Sequence, residues 1–284
     1  MIPPLRIAHR GASGDGLAPE NTLAAVARAL DLGVDLVEID VRATRDGQLV
    51  VVHDADLDRT TDMTGLVRDL TLAEIRRADA GAWFGPAFRG ERVPTLEEVL
   101  EVCRRRALVL IEIKADGIAE RTLQAVDNLG SADQVVIQSF APETVRRIKA
   151  LRPAVPAALL VGRLPATPSR LRARRLVAQT LELGANALAI WSATLTPALV
   201  EEVRQRGVAL WTWTVDDPLV MRDVILLGVQ GVITNYPDRL NDTLEDLVRD
   251  GRLHPPLGRQ RRVRRHRWGR RRQLRRLGGD PSAN

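Results

Sequence analysis

From residue 107 onward the chain alternates between short unbroken apolar runs and longer stretches whose apolar positions recur every three or four residues. The runs are 107–113 (ALVLIEI), 135–140 (VVIQSF), 157–161 (AALLV), 187–191 (ALAIW), 208–215 (VALWTWTV) and 231–235 (GVITN). Helical spacing occupies about 118–129, 142–151, 168–183, 197–206 and 217–228, with a last stretch over 237–249. A strand buried on one face alternates apolar with polar; unbroken runs imply burial on both faces and hence a parallel sheet. Two earlier strands, 5–9 and 35–41, extend the series. The first leads to a helix capped by Asn21 or Thr22 and closed by Gly33, the second to one running from Pro94-Thr95 to about Arg106. Eight strand–helix units in a body of about 250 residues predict an α/β fold, a (β/α)8 TIM-type barrel. A doubly wound open sheet is the alternative, but its glycine-rich dinucleotide fingerprint is missing.

One strand breaks the rule. Residues 35–54, DLVEIDVRATRDGQLVVVHD, read as two strands joined at Asp46-Gly47, a strong hairpin signal. A two-residue turn there places His53 opposite Asp40, with Glu38 on the same face because strand side chains repeat every second position. Two adjacent acids repel, so one reading of this face is a divalent cation held between them. The other is the charged outer face of an edge strand. The return strand at 48–53 is then an antiparallel addition at the barrel mouth. It leads into an insertion over about 54–93, with a turn at Gly65, a short helix near 71–77 and the aromatic-rich GAWFGPAF.

In a barrel of this kind, chemistry gathers at the C-terminal ends of the strands. The polar interruptions of otherwise apolar strands fall there: His9 and Arg10, Glu38 and Asp40, Glu112 and Lys114, Gln138, Trp211 and Trp213, and Asn235. Glu112 and Lys114, two apart, point the same way from the strand next to that of Asp40. Three carboxylates without cysteine suit Mg²⁺ or Ca²⁺ better than zinc; ion pairs of Glu112 with Lys114 or Arg10 are the structural alternative. Two imidazoles beside such a site can share acid and base work near neutral pH. Arg10 and Lys114 place positive charge where a phosphate would sit. The combination describes a phosphoryl-transfer or phosphodiester-cleaving site with no nucleotide loop.

Charge divides the chain in two. From Arg252 onward there are 12 Arg and one acid, Asp280, a local balance of +11 against +6 for the whole, which leaves −5 for the rest. A mildly acidic body of residues 1–250 therefore precedes an Arg-rich tail, 251–284, expected to be disordered in isolation. Electrostatic attachment to an anionic membrane, with Trp268 as an interfacial anchor, is the functional reading of the tail; nucleic acid is the weaker match and a solvated extension the bland one. The only cysteine, Cys103, excludes an intrachain disulfide and sits on the apolar side of a helix. No apolar run approaches a membrane span, and MIPPLRIAHRG enters a strand without the pattern of a signal peptide, so a cytoplasmic location is expected.

The ordered motifs AHRG, PENT, VEIDVRATRDGQLVVVHDADLDRTT, WFGPAFRGERVPTLEEVL, IEIK, QSF, WTV and GVITNYP resemble the glycerophosphodiester phosphodiesterase family over roughly residues 5–240. The resemblance implies a barrel with an insertion after the second strand and metal-dependent hydrolysis of glycerophosphodiesters to sn-glycerol 3-phosphate and an alcohol. By matching position it implies His9 and His53 as the acid–base pair, and Glu38, Asp40 and Glu112 as ligands of one Mg²⁺ or Ca²⁺. Arg10 and Lys114 become phosphate contacts. Glu20 either orients Arg10 or starts a helix, and Trp211 either walls the glycerol pocket or packs the core. A lysophospholipase D type of activity and a non-catalytic phosphate-binding barrel are the rival readings, though every matched catalytic position is filled.

Overall fold

The computed structural model describes residues 1–164 and 169–254, so the Arg-rich tail from Pro255 onward lies outside the described residues. Eight parallel strands close on themselves: β1 (Leu5–Ala8), β2 (Leu36–Ala43), β4 (Leu108–Ile113), β5 (Val135–Ser139), β6 (Ala157–Val161), β7 (Ala187–Trp191), β8 (Ala209–Trp213) and β9 (Gly231–Thr234). Closure comes from β1, which pairs with both β2 and β9. The expected barrel is therefore observed, each strand within two residues of its expected ends. The antiparallel β3 (Leu49–Val51) adds to β2 at the rim.

Helices α1 (Leu23–Asp31), α3 (Leu96–Cys103), α4 (Ala119–Asn128), α5 (Pro142–Leu151), α6 (Arg170–Glu182), α7 (Pro197–Gln205), α8 (Pro218–Leu227) and α9 (Pro237–Arg249) surround the sheet; α2 (Leu72–Ile75) belongs to the insertion. Their starts are written in side chains that satisfy otherwise unpaired amides. Thr22, Ser169, Thr196 and Asp217 accept from the first turns of α1, α6, α7 and α8, and Thr95 with Glu98 forms a reciprocal capping box on α3. Of the two cap candidates for α1, Thr22 is the one used; Asn21 points into the barrel mouth instead.

Alternate strand positions point inward, and this parity sets up everything at the mouth. Ile7, Leu36, Leu110, Val136, Ala158, Ala187, Trp211 and Ile233 fill the barrel interior. Two or four residues further along the same strands, the same inward face carries Glu38 and Asp40, Glu112 and Gln138. The outward positions of β2, Val37, Ile39 and Val41, pack under the helices with Leu100 and Cys103. A satellite core of Val50, Val52, Leu57, Val67, Ile75, Ala80 and Val93 supports the insertion.

The hairpin departs from expectation by one residue. Val41 pairs with Val51 and Ala43 with Leu49, so the loop is Arg45-Asp46-Gly47 rather than a two-residue turn. Thr44 N–H donates to Gln48 O (2.9 Å), Gly47 N–H to Thr44 O (3.0 Å), and Gly47 adopts φ +82°. This is the three-residue hairpin with a left-handed glycine, whose one-residue slip exchanges the faces of the return strand. Continued in that register, β3 would carry His53 opposite Ile39, on the outer face. The strand instead stops at Val51; Val52 N–H reaches Asp40 O (2.9 Å), and Arg42 Nε donates to His53 O (2.9 Å) at the bend. His53 reaches the site through a loop, not through strand register.

Gly47→Ala is expected to cost about 1 kcal/mol, because the left-handed backbone is strained by a Cβ. The nearest atom to that Cβ, Arg121 Nη1 at 2.9 Å, is the free end of a flexible side chain and can move aside. Denaturant unfolding should show a lower midpoint with an unchanged slope; a midpoint equal to the parent's would contradict the assigned loop.

Candidate active site

The loop after β1 is pressed between β2 and α1. Its His9 N–H donates to Thr234 O (2.8 Å), and its imidazole Nδ1 lies 2.7 Å from Asn235 Oδ1. Asp216 settles the orientation of that amide by accepting from Asn235 Nδ2 (2.6 Å) and from Asn235 N (2.9 Å). Asn235 therefore shows its carbonyl oxygen to His9, so Nδ1 carries the proton and Nε2 is left as the basic nitrogen. Burial, with the Arg10 charge adding to it, pushes the His9 imidazole down to about 4, so it is neutral at neutral pH.

Arg10 and Asn21 both adopt left-handed backbone, φ 55° and 56°, which is costly for residues with a Cβ and is maintained by several hydrogen bonds. Arg10 N donates to Glu38 Oε2 (2.9 Å), and Asn21 N donates to Arg10 O (2.9 Å). Gly11 follows at φ +80°, so close to α1 that a Cβ would lie 2.7 Å from the Ala25 backbone. The loop thereby lays Arg10 across the acids: Nη1 donates to Glu20 Oε1 (2.8 Å) and Nε is 3.3 Å from Asp40 Oδ2. Asn21 Nδ2 donates to the same Asp40 Oδ2 (2.9 Å).

Glu38, Asp40 and Glu112 are all buried, and one oxygen from each lies within 4.8 Å of the others. The register of the β2–β4 pair puts Asp40 directly beside Glu112, and Gln138 on β5 beside Glu112 in turn. Gln138 Nε2 donates to Glu38 Oε1 (3.2 Å). Lys114 Nζ pairs with Glu112 Oε1 (2.6 Å) and Asp40 Oδ1 (3.1 Å). Burial, reinforced by its acidic neighbours, raises Glu38 well above the usual carboxylate range. Burial and the Asp40 charge likewise push Glu112 up to about 7. Burial acts the same way on Asp40, but Lys114 and Arg10 outweigh it and hold Asp40 at about 2.

Six buried side-chain polar atoms among the described residues lack a hydrogen bond of acceptable geometry. Five line this interior: Arg10 Nε, Asp40 Oδ1, Glu112 Oε1, Gln138 Oε1 and Trp211 Nε1. Orphaned atoms are rare in folded proteins and concentrate where a ligand completes them. Asp40 Oδ1 and Glu112 Oε1 face Lys114 Nζ as ion pairs, and the three acids, with one oxygen of each within 4.8 Å of the others, fit a hard divalent cation bound through oxygen.

His53 is half-buried at the edge of this cluster. Its Nδ1 is 2.7 Å from Asp54 Oδ1, and burial, with Arg10 and Lys114 adding to it against the opposing Asp40 charge, lowers its pKa. The structure thus brings seven expected residues together at one end of the barrel. The eighth, Trp211, lies deeper, 6% exposed among the interior side chains, while Trp213 stands above it edge-on to Phe140, ring centres 5.4 Å apart. Sequence reading missed the supporting groups: Asn21 on Asp40, Gln138 on Glu38, Asp216 behind Asn235, and Asp54 on His53. Gln138 and Asn235 were visible as polar strand ends. Asn21 was hidden by its resemblance to a helix cap, and Asp216 lies in a loop with no periodicity to mark it.

A model of the glycerophosphoryl diester phosphodiesterase family matches residues 9–239. A glycerophosphodiester phosphodiesterase of Caldanaerobacter subterraneus subsp. tengcongensis is 41% identical over 253 residues, covering 87% of this chain and 98% of that protein. One from Bacillus subtilis is 35% identical over 253 residues, covering 82% and 84%. Among solved structures, an Oleispira antarctica phosphodiesterase in complex with the product sn-glycerol-3-phosphate has a TM-score of 0.75 at 31% identity, covering 86% of this chain and 97% of that one. A glycerophosphodiester phosphodiesterase from Agrobacterium tumefaciens has a TM-score of 0.72 at 32% identity, covering 85% and 100%.

The buried carboxylates make the metal-stripped protein sensitive to pH. Glu112 titrates at about 7 when folded, against an ordinary value of 4.5. Between those values the folded state keeps a proton that the unfolded state has released, so stability falls as pH rises through the window. Asp40 acts in the opposite sense and lower down: its contribution is lost only as pH falls toward about 2. His9, pushed down to about 4, acts in the opposite sense over part of this window, so the test is the cation. Millimolar Mg²⁺ or Ca²⁺ should raise the Tm of chelated protein more at about pH 8 than at about pH 5, because binding needs the ionised carboxylates. A cation-induced rise in Tm no larger at the higher pH would count against the buried trio.

Proposed function

This chain belongs to the glycerophosphoryl diester phosphodiesterase family and is a glycerophosphodiester phosphodiesterase, and we propose that it works by metal-assisted acid–base catalysis divided between His9 and His53. The carrying observation is the convergence of three buried carboxylates, with oxygens within 4.8 Å of one another, and two cations beside two imidazoles whose Nδ1 positions are occupied. The products are sn-glycerol 3-phosphate and an alcohol, a reading supported by the Oleispira relative that holds the former.

Glu38, Asp40 and Glu112 would hold one divalent cation, Mg²⁺ or Ca²⁺, which when bound supplies electrophilic charge to the phosphate oxygens. Arg10 and Lys114 add fixed positive charge beside the same phosphate, and Asn21, Glu20 and Gln138 keep these groups in place. One imidazole takes the proton of the glycerol hydroxyl next to the ester as that oxygen attacks phosphorus. The other gives its proton to the departing alcohol oxygen as the P–O bond breaks, leaving a cyclic phosphate. In the second half water attacks phosphorus, its proton passes to the second imidazole, and the first returns its proton to the glycerol oxygen. Each imidazole ends as it began. Trp211 and Trp213, lining the interior opposite the acids, form the wall against which the glycerol packs.

We read residues 1–250 as the catalytic unit, 54–93 as an insertion that carries groups to the mouth, and 251–284 as an appendage attracted to anionic membrane surfaces. The expected location is cytoplasmic and peripheral to the membrane; among the described residues no helix is long and apolar enough to cross one.

Release of glycerol 3-phosphate from glycerophosphocholine should stop after exhaustive chelation and return with Mg²⁺ or Ca²⁺. Full turnover in the stripped protein removes the metal from the mechanism. His9→Ala and His53→Ala should each lower kcat by about 10²- to 10⁴-fold with an unchanged circular dichroism spectrum. A preference for lysophosphatidylcholine over glycerophosphocholine would move the enzyme to the lysophospholipase D type.

A further inference from the structure

Two carboxylates and one arginine outside the catalytic set form a continuous chain behind His53. Asp54 spends both oxygens: Oδ1 is 2.7 Å from His53 Nδ1, and Oδ2 accepts from Arg59 Nε (2.6 Å). The Arg59 fork then closes on Glu20, Nη1 to Oε2 and Nη2 to Oε1, both 2.8 Å. Glu20 Oε1 also accepts from Arg10 Nη1 at 2.8 Å. The sequence of contacts runs His53, Asp54, Arg59, Glu20, Arg10, and so ties an imidazole on one side of the mouth to a cation on the other.

This chain contributes little to stability. Arg59 and Asp54 side chains are 46% and 29% exposed, and ion pairs so wetted typically add under about 1 kcal/mol. Their geometry is another matter. A carboxylate held at one oxygen by the Nε–H of a guanidinium whose own fork is anchored on Glu20 cannot rotate freely, so its other oxygen stays aimed at Nδ1. An acceptor fixed at Nδ1 requires the proton there and leaves Nε2 as the nitrogen that exchanges protons with a ligand. Without it, nothing in the bend at His53 selects a tautomer: the remaining hydrogen bond at that residue, from Arg42 Nε, is to the backbone oxygen.

We propose that Asp54 is a positioning residue, which fixes the His53 imidazole in its Nδ1–H form, and that Arg59, anchored on Glu20, fixes Asp54 in turn. The idea rests on the reading above, in which His53 transfers a proton. It also gives the insertion a role in catalysis, because Arg59 stands on a segment nailed down by the fully buried Leu57, whose carbonyl accepts from Thr61 Oγ1 (2.9 Å). Arg10 shares the anchor, so the cation beside the phosphate and the imidazole that serves it are set from one carboxylate.

Asp54→Asn and Arg59→Lys in the full chain, assayed with Mg²⁺ present throughout, test this. Asparagine keeps the shape of Asp54 but can turn its NH₂ group to Nδ1 and so favour the wrong tautomer. That exchange should lower kcat by about 10²- to 10⁴-fold while KM stays within about threefold. Lysine cannot bridge both carboxylates as the fork does, so Arg59→Lys should lose about tenfold in kcat, again with little change in KM. The independent readout is long-range ¹H–¹⁵N correlation of the imidazole nitrogens in ¹⁵N-labelled protein, with His53 signals assigned by their loss in His53→Ala. The parent should show His53 protonated at Nδ1, and Asp54→Asn should show Nε2–H or a mixture. An unchanged tautomer in Asp54→Asn overturns the proposal whatever happens to kcat, and so does a parent already in the Nε2–H form. Full turnover in His53→Ala would instead remove the catalytic reading of His53, and the same spectra would still decide whether Asp54 holds the ring.

Discussion

Three carboxylates buried at one end of a barrel are the constraint on which the rest depends. Opposite charges repay such burial only when they are close and correctly aimed, and here two cations serve three acids. Lys114 reaches Asp40 Oδ1 and Glu112 Oε1, and Arg10 lies against Asp40 and Glu20, which leaves Glu38 with no cation within ion-pair distance among the described residues. Burial, with the acids' mutual repulsion adding to it, displaces Glu38 and Glu112 upward, while Lys114 and Arg10 outweigh burial and displace Asp40 downward; the proposed dication would offset the negative charge that remains. A neutral, fully paired cluster would be more stable and would have no chemistry.

The barrel makes that constraint tolerable. Each strand feeds the same inward face with apolar side chains first and polar ones last, so the mouth rests on a packed floor of Ile7, Leu36, Leu110 and Ile233. Parallel register does the remaining alignment: Asp40 stands beside Glu112 and Glu112 beside Gln138 because neighbouring strands are hydrogen-bonded in that phase. Two left-handed residues, Arg10 and Asn21, are held in that conformation because Arg10 is bonded to β2 through backbone and side chain, and Asn21 through its side chain to β2 and its backbone to Arg10.

Much of this was legible in the sequence, and the limits were physical. Unbroken apolar runs revealed the parallel strands, and inward parity placed Glu38, Asp40 and Glu112 together because their spacing is fixed by the extended backbone. The hairpin was read one residue out of phase. Asp46-Gly47 fits both a two-residue turn and the end of a three-residue loop, and only the hydrogen bonds of Thr44 with Gln48 and Gly47 separate them. His53 nevertheless reaches the site, since the strand ends at Val51 before its slipped register matters. Asn21, Asp54, Arg59 and Asp216 act across loops, where no period links a residue to its partner. Asn21 illustrates the difficulty: its sequence neighbourhood describes a helix cap, and its φ of 56° makes it a hydrogen-bonding arm to Asp40 instead.

The satellite core beneath the insertion divides the active site between two units of unequal strength. Glu38, Asp40, Glu112 and Lys114 stand on, or directly after, strands of the closed barrel. His53 and Asp54 leave β3 on a loop whose support is the smaller cluster around Leu57, Ile75 and Val93. A cluster of that size can open by itself while the barrel stays intact, in the manner of local unfolding seen by amide hydrogen exchange. Opening of this kind disengages His53 from the acids but leaves the three carboxylates assembled. With the roles proposed for His53 and the carboxylates, mild heat or denaturant would act on turnover before it acts on cation affinity, and the lifetime of activity would be the lifetime of the insertion.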